Sequence, residues 1–442
     1  MRSAPATVAL STLGCRLNQV ESQEIGALLA GHGYRVVEPG TCAQIHVINT
    51  CTVTGRADFS DRQLIRRIIR ENPGAFVVVT GCWAQTDPRA AAGIAGVDLV
   101  VGNQEKYRLP ELLATLAERP RPAVAVADIR EAREVPVAPF TRVIGRSRAF
   151  VKIQDGCQHR CAFCIVPAAR GRSRSQEPKV ILDQVRALAA AGYRDVTLTG
   201  VDVGHYGWDL YPRITLAALL HRLGEVDGLR WLRLSSVLPS YFTPELVAAV
   251  TTLPVMAPHL HLPLQSGSDR VLRLMRRPYH TGMYRALVER LVAAVPDLGL
   301  GADVIVGHPG ETEEDFAATL RLVEALPFSS LHVFAYSDRR GTEAAGRPDR
   351  VAPAAIRERS RRLRRLAAEK SLAFRRGLVG RRREAVVLEA RDRRTGLPSA
   401  LTDNYVEVLL DGPDALGRRV VALTITEARP GRTHARLAEA GA

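Results

Sequence analysis

Short runs of β-branched and apolar residues at 7–11, 45–49 and 76–80 alternate with segments 18–30 and 58–70, whose apolar positions recur at helical spacing. Strand alternating with helix predicts a parallel α/β sheet, because parallel neighbours are joined by crossovers that cover the sheet faces. The run DIREAREVPVAPFTRVIGRSR breaks this pattern with proline, charge and weak periodicity and reads as a linker. Beyond it, strands are expected at 150–154, 196–200, 231–235, 259–264, 302–307 and 331–336, with helices at 178–191, 243–250, 282–295 and 311–325. Six parallel units without two more predict a partial barrel, open on one side. A long helix at 353–376 ends at Gly377, and strands then follow at 384–389, 405–410, 420–426 and 433–437. The turns Asp411-Gly412-Pro413 and Arg429-Pro430-Gly431 divide them. Such a pattern predicts a small β-barrel, either a structural cap or a module for single-stranded or looped RNA. The expected division is an α/β domain at 1–130, a linker at 131–147, a partial (β/α)6 barrel with its basic helix at 148–376, and a β-barrel at 377–442.

Composition narrows this picture. The chain of 442 residues is long enough for two or three cores. It has no run of about twenty apolar residues, and its first residues lack the design of a signal peptide, so a cytoplasmic protein without a membrane span is expected. The formal charge is +15, but only 4 of the 61 basic residues are lysine, so arginine-rich drift accounts for part of the excess. Residues 357–383 hold eleven arginines and Lys370 against Glu358 and Glu369, a local +10. That segment is either a solvated helix face or a stripe for phosphate, to which arginine offers bidentate donors.

Seven cysteines, six of them in two triads, suit metal ligation in a reducing compartment better than a disulfide framework. Cys157, Cys161 and Cys164 lie in VKIQDGCQHRCAFCIVP, just after a predicted strand. Thiolates are the ligands iron–sulfur cubanes select, and three of them leave one iron open to a chelating small molecule. The alternatives are a zinc site recruiting His159 and a chance group of core cysteines. Cys15, Cys51 and Cys82 each follow one of the first three strands. Parallel strands share one carboxyl edge, where ligands bind, so these thiols are expected to converge unless they are independent core residues. Cys42 precedes its strand at the opposite end and reads as an ordinary thiol.

The motifs STLGCRLNQVES, INTCTVT and VVVTGCWAQ, then VKIQDGCQHRCAFCIVPAARG, LTGVDVGHYG, LRLSSVLP, HLPLQSGSD and DVIVGHPGETEEDF, and finally TDNYVEVLL, run the length of the chain. In this order they resemble the methylthiotransferase family of radical S-adenosylmethionine enzymes. The resemblance implies a 4Fe-4S cluster at Cys157, Cys161 and Cys164 that cleaves S-adenosyl-L-methionine reductively to methionine and a 5'-deoxyadenosyl radical. It implies an auxiliary 4Fe-4S cluster at Cys15, Cys51 and Cys82 that presents sulfur, and a second cofactor molecule as methyl donor. It also implies a C-terminal TRAM domain gripping RNA. Cofactor contacts are expected at the strand ends: Thr199, Gly200 and Asp202 near the amino group, Arg233 near the carboxylate with Ser235 on the same strand, then Gln265, Ser266 and Asp303. Each of these has an alternative as turn or barrel chemistry. Phe163 resembles the aromatic that covers adenine, or packs its own loop.

The forms INTCTVT, TGCWAQ and KIQDGC look most like the branch acting on threonylcarbamoyladenosine in the tRNA anticodon stem-loop. Sister branches act on isopentenyladenosine in tRNA and on a ribosomal-protein aspartate. The implied partners are tRNA, an electron donor such as flavodoxin or ferredoxin, and a sulfur donor, with the protein a monomer away from membranes. A non-catalytic RNA-binding redox sensor and an iron–sulfur scaffold or zinc protein are the competing classes.

Overall fold

β-Branched residues dominate the early strands because both faces of a parallel sheet are covered, and stiff branched side chains fit that buried, pleated surface. In the computed structural model, residues 6–115, 120–143, 146–411 and 416–438 are described. Strands β1 (Thr7–Thr12), β2 (Arg35–Val37), β3 (Ile45–Thr50), β4 (Phe76–Gly81), β5 (Leu99–Val101) and β6 (Ala123–Ala125) form one sheet in the order β2-β1-β3-β4-β5-β6. All its pairings are parallel. Helices α1 (Arg16–Gly31), α2 (Gly55–Glu71), α3 (Cys82–Thr86), α4 (Pro88–Ala92) and α5 (Leu109–Ala114) connect them. Adjacent residues of β3 serve two cores: Ile48 packs with Ile65, Val79 and Trp83, while Val47 packs with Val8, Ile25 and Val78. Full burial of each such side chain contributes about 1.5–3 kcal/mol.

The chain packs as two compact units, the first comprising Met1–Phe140, Lys152–Gln176 and Ser337–Ala345. Strand β7 (Ala149–Lys152) leads into its second segment, where β8 (Gln154–Asp155), α6 (Val166–Arg170) and β9 (Arg174–Ser175) follow. The strand expected at 150–154 thus stops early, because Gln154 and Asp155 pair antiparallel with Ser175 and Arg174.

In the second unit α7 (Pro178–Ala190), β10 (Asp195–Thr199), α8 (Leu216–Gly224), β11 (Trp231–Leu234), α9 (Pro244–Thr252) and β12 (His259–His261) alternate. They continue through α10 (Asp269–Leu274), α11 (Thr281–Ala294), β13 (Gly299–Val306), α12 (Glu313–Ala325) and β14 (Ser330–Ala335). The strands form two three-stranded sheets, β11-β10-β7 and β12-β13-β14. The motif GETEEDF starts α12 with a capping box, in which the Thr312 hydroxyl accepts from the Asp315 N–H and the Asp315 carboxylate accepts from the Thr312 N–H.

Helix α13 (Pro353–Arg376) leads to a closed barrel of β15 (Arg382–Arg391), β16 (Pro398–Thr402), β17 (Glu407–Asp411), β18 (Val420–Arg429) and β19 (Arg432–Leu437). β16 is absent from the strands the sequence predicts; all five of its residues are buried, so it lacks the alternation that marks a half-exposed strand. Of the turn expected at Asp411-Gly412-Pro413, Gly412 and Pro413 lie outside the described residues.

The sequence assigns Arg233 to a cofactor carboxylate, and the fold uses it differently. Its Nε donates to Asp195 Oδ2 at 2.8 Å, and its Nη1 and Nη2 donate to the carbonyls of Asp403 and Thr402 at 2.7 and 3.2 Å. The guanidinium therefore ties β11 to the C-terminal barrel, beside the apolar contact of Val386 with Trp231 and Ala257. Arg233→Met is expected to cost about 3–5 kcal/mol, since it strands Asp195 and two carbonyls in a buried setting. Denaturant unfolding under anaerobic conditions measures this, and an unchanged midpoint contradicts it.

Part of the basic segment 357–383 is drawn into the fold. Arg359 is buried and pairs with Glu311 at 2.7 Å and Glu313 at 3.1 Å. Arg362 also reaches Glu313, at 2.8 Å, and Arg375 donates to the carbonyls of Arg429 and Arg432 at 2.9 and 2.7 Å. Arg381 and Arg383 converge on Asp297, at 2.7 and 3.3 Å. These five help hold the second unit together, while Arg357, Arg361, Arg364, Arg365, Arg376 and Arg382 stay exposed.

Candidate functional site

Cys15, Cys51 and Cys82 follow β1, β3 and β4, three adjacent strands, so parallel geometry delivers them to one edge. Cys15 is exposed, Cys51 and Cys82 are buried, and none of the three forms a disulfide. Gly14 makes the approach possible: at φ +96° it adopts a backbone that side chains avoid, and a Cβ there would lie 2.6 Å from Cys51 Cβ and 2.8 Å from its Sγ. Burial and then the neighbouring Cys82 push the Cys51 thiol up to about 12. Burial also raises Cys82, opposed by Arg170 and reinforced by Cys15. Thiols so disfavoured as thiolates are stabilised in the ionised form by a positive centre, which is what a metal cluster supplies.

Behind this edge lies a buried network that the sequence pattern does not single out. The Arg170 Nε donates to Cys82 Sγ at 3.3 Å. Its other nitrogens donate to Glu21 at 2.8 and 3.0 Å, to Asn18 Oδ1 at 2.7 Å and to Asp155 Oδ1 at 3.1 Å. Lys106 pairs with Glu21 at 2.6 Å, Lys152 with Glu24 at 3.1 Å, and Arg174 with Asp155 at 3.5 Å. Tyr107 bridges Glu24 and Lys152. Lys106, Lys152, Arg170 and Arg174 thus face Glu21, Glu24 and Asp155. The Arg170 guanidinium sets positive charge against Cys82, which fits an anionic, thiolate-ligated cluster. Arg170 lies in the run CIVPAARG, directly after the second triad, where a local signal exists, but its partners are remote in sequence.

The second triad sits in the same unit, on the loop between β8 and α6. Cys157, Cys161 and Cys164 are half-buried. The Cys157 N–H donates to the Gly171 carbonyl at 3.1 Å, and the Cys164 N–H to the Cys161 carbonyl at 3.1 Å, which folds the loop back on itself. Ala344 N–H closes on the Ala162 carbonyl at 2.8 Å. α6 begins two residues after Cys164 and packs on α3, the helix that starts at Cys82. Gly156 enters the loop at φ +75°, where a Cβ would fall 1.9 Å from the Arg172 carbonyl oxygen. Gly156→Ala is therefore expected to displace the loop and cost about half of the roughly eight irons that two cubanes carry. Iron analysis of anaerobically prepared protein checks this; full occupancy would refute it.

The remaining expected contacts fall in different settings. Phe163 is half-buried within its loop. In the second unit Thr199 ends β10, Gly200 follows half-buried, and buried Asp202 accepts from the Tyr241 hydroxyl at 3.0 Å. Ser235 Oγ and Gln265 Oε1 are buried without a hydrogen-bond partner, and Gln265 holds φ at 66°. Ser266 Oγ instead meets Thr319 Oγ1 at 3.3 Å. Orphaned polar atoms at strand ends fit a polar ligand such as S-adenosylmethionine. Asp303 lies between His261 and His332, a pairing that no sequence motif marks.

Comparison with known proteins gives these arrangements a context. Residues 151–323 match the model of the radical SAM superfamily, and residues 7–102 match the uncharacterized protein family UPF0004. The threonylcarbamoyladenosine tRNA methylthiotransferase MtaB of Bacillus subtilis is 38% identical over 96% of this chain and 94% of its own length. The protein of that name in Aquifex aeolicus is 38% identical over 94% of this chain and 99% of its own. A tRNA-2-methylthio-N(6)-dimethylallyladenosine synthase of Frankia casuarinae is 42% identical, over 87% and 72%. Among solved structures, the radical S-adenosylmethionine methyltransferase TsrM of Kitasatospora setae, with cobalamin and a [4Fe-4S] cluster bound, shares the fold at a TM-score of 0.56. It is 18% identical over 77% of each chain. The cofactors of such enzymes are S-adenosyl-L-methionine and two 4Fe-4S clusters, in keeping with two cysteine triads and a half-barrel. The chain belongs to the radical S-adenosylmethionine family of tRNA methylthiotransferases.

Proposed function

We propose that this protein converts N6-threonylcarbamoyladenosine, next to the anticodon of tRNA, to its 2-methylthio derivative. The observation that carries this choice of base is colinearity. The two relatives named for threonylcarbamoyladenosine are matched over 94% and 99% of their lengths, against 72% to 87% for the relatives named as dimethylallyladenosine synthases. The motif forms INTCTVT and TGCWAQ support the same branch.

In this proposal Cys157, Cys161 and Cys164 hold the cluster that, when bound, supplies the electron for cleaving S-adenosylmethionine, and Cys15, Cys51 and Cys82 hold the one from which sulfur is transferred. The chain's own groups then do the positioning. Ser235 and Gln265 offer unsatisfied polar atoms to the cofactor, and Thr199, Gly200 and Asp202 line the next strand end. Arg170 fixes the Cys82 sulfur by its N–H donation and keeps positive charge beside it. Cys51 and Cys82 are buried, so their side of that triad is shielded from water. Electrons enter from a flavodoxin- or ferredoxin-type donor, and the C-terminal barrel grips the RNA. That barrel shares a buried seam with β11, so its role is tested by point changes rather than by deletion. Neutralising exposed Arg393 and Arg394 together is expected to weaken tRNA binding and flatten its salt dependence, by a slope of about one for each phosphate left unneutralised. An unchanged slope rules out a phosphate role for that turn.

Nucleoside mass spectrometry of tRNA from cells lacking the protein tests the substrate. The expected result is loss of the methylthio group from threonylcarbamoyladenosine with accumulation of the unmodified base. Loss from isopentenyladenosine instead would move the chain to the sister branch.

A further inference from the structure

We propose that His261, Asp303 and His332 form a binding site for a divalent transition-metal cation, distinct from both cysteine triads. The three residues come from β12, β13 and β14, neighbouring parallel strands of one sheet. Register brings them together: His261 pairs with Gly301, and two residues further along β13 Asp303 pairs with His332. Gly301 makes room for the first imidazole, since a Cβ there would lie 2.6 Å from His261 Nδ1.

Donor geometry points to a cation. His261 Nε2 and His332 Nδ1 both lie 3.1 Å from Asp303 Oδ1, and the ring centroids of the two histidines are 5.3 Å apart. One ligand atom from each residue falls within 4.8 Å of the others. Metal–ligand bonds of about 2.1 Å at right-angled to tetrahedral geometry separate donors by roughly 3.0–3.4 Å. The second observation concerns His261, whose side chain is 10% exposed. Its Nε2 is buried, aimed into the cluster, and makes no hydrogen bond even to the carboxylate beside it. A pair serving only to orient Asp303 would align that N–H with the oxygen; an off-line nitrogen leaves its lone pair for a third body.

Two imidazoles and one carboxylate are a donor set for borderline divalent ions such as zinc, iron or cobalt rather than for calcium or magnesium, which prefer all-oxygen shells. Three protein donors also leave coordination positions to exchangeable ligands, reached from the side where His332 is 59% exposed.

The test is calorimetric titration of the cluster-loaded, anaerobic protein with Zn2+, comparing the natural sequence with His332→Ala and Asp303→Asn. The natural protein is expected to take up one more equivalent than either variant, or to bind it about 100-fold or more tightly, since losing even an outer-shell partner costs 10–100-fold. Because His332 is exposed, its truncation spares the fold, and unchanged iron content verifies that the triads are intact. Equal zinc stoichiometry and affinity in all three proteins, or no binding by the natural one, overturns the proposal.

Discussion

Cys157→Ala is expected to abolish formation of 5'-deoxyadenosine from S-adenosylmethionine, while Cys51→Ala leaves that cleavage in place and loses the methylthiolated nucleoside. The contrast follows from two triads with separate local scaffolds. Cys157 is fixed by the turn whose N–H reaches the Gly171 carbonyl, and removing its sulfur leaves two ligands on that loop. Cys51 sits at the end of β3, where its N–H donates to Asp61 Oδ2 at 3.1 Å, so an alanine there keeps the backbone and deletes only the donor. Each loss should exceed the usual scatter of point variants, because a cluster with two protein thiolates is poorly retained. Chromatographic assay of 5'-deoxyadenosine after reduction, with mass spectrometry of the tRNA, separates the outcomes. Full product formation by Cys51→Ala would remove the auxiliary-cluster assignment.

Arg170 is expected to give the next largest effect. It is fully buried, and its fork serves Glu21, Asn18, Asp155 and Cys82 together. Arg170→Met leaves Glu21 and Asp155 facing fewer cations in a dry setting, where breaking one side of a buried pair costs about 3–5 kcal/mol. Arg170→Lys keeps the charge but not the planar set of donors, so a smaller loss is expected. Its diagnostic is electrochemical. An N–H donated to a ligating sulfur stabilises the more negative, reduced cluster, so the lysine variant should lower the potential of the cluster at Cys82 by tens of millivolts. Anaerobic unfolding and redox titration followed by electron paramagnetic resonance measure the two effects. Wild-type stability in Arg170→Met would show that Arg170 is not the keystone of this network.

Much of the architecture is legible in the sequence because it repeats. Apolar runs between helical segments locate β1, β3 and β4, and long periodic stretches locate α7, α11, α12 and α13 to within a few residues at each end. What escapes is short or buried on all sides. β2, β5 and β6 have three residues each, too few to show a period, and β16 has no exposed position to alternate with. α8 escapes too: at 9 residues it runs for only about two and a half helical turns, little room for a period to show.

The sequence by itself determined the chemistry that depends on chain-local reach: the spacing of Cys157, Cys161 and Cys164 within one loop, and the placing of Cys15, Cys51 and Cys82 after three strands. Only the tertiary structure decided which charges face which. Glu21 and Arg170 meet across 149 positions, and Arg233 reaches Thr402 across 169. His261 and His332 come to Asp303 through strand register. No local pattern encodes such partners, because a buried charge is stable wherever a complementary group is delivered, and delivery is a property of packed strands rather than of neighbouring letters.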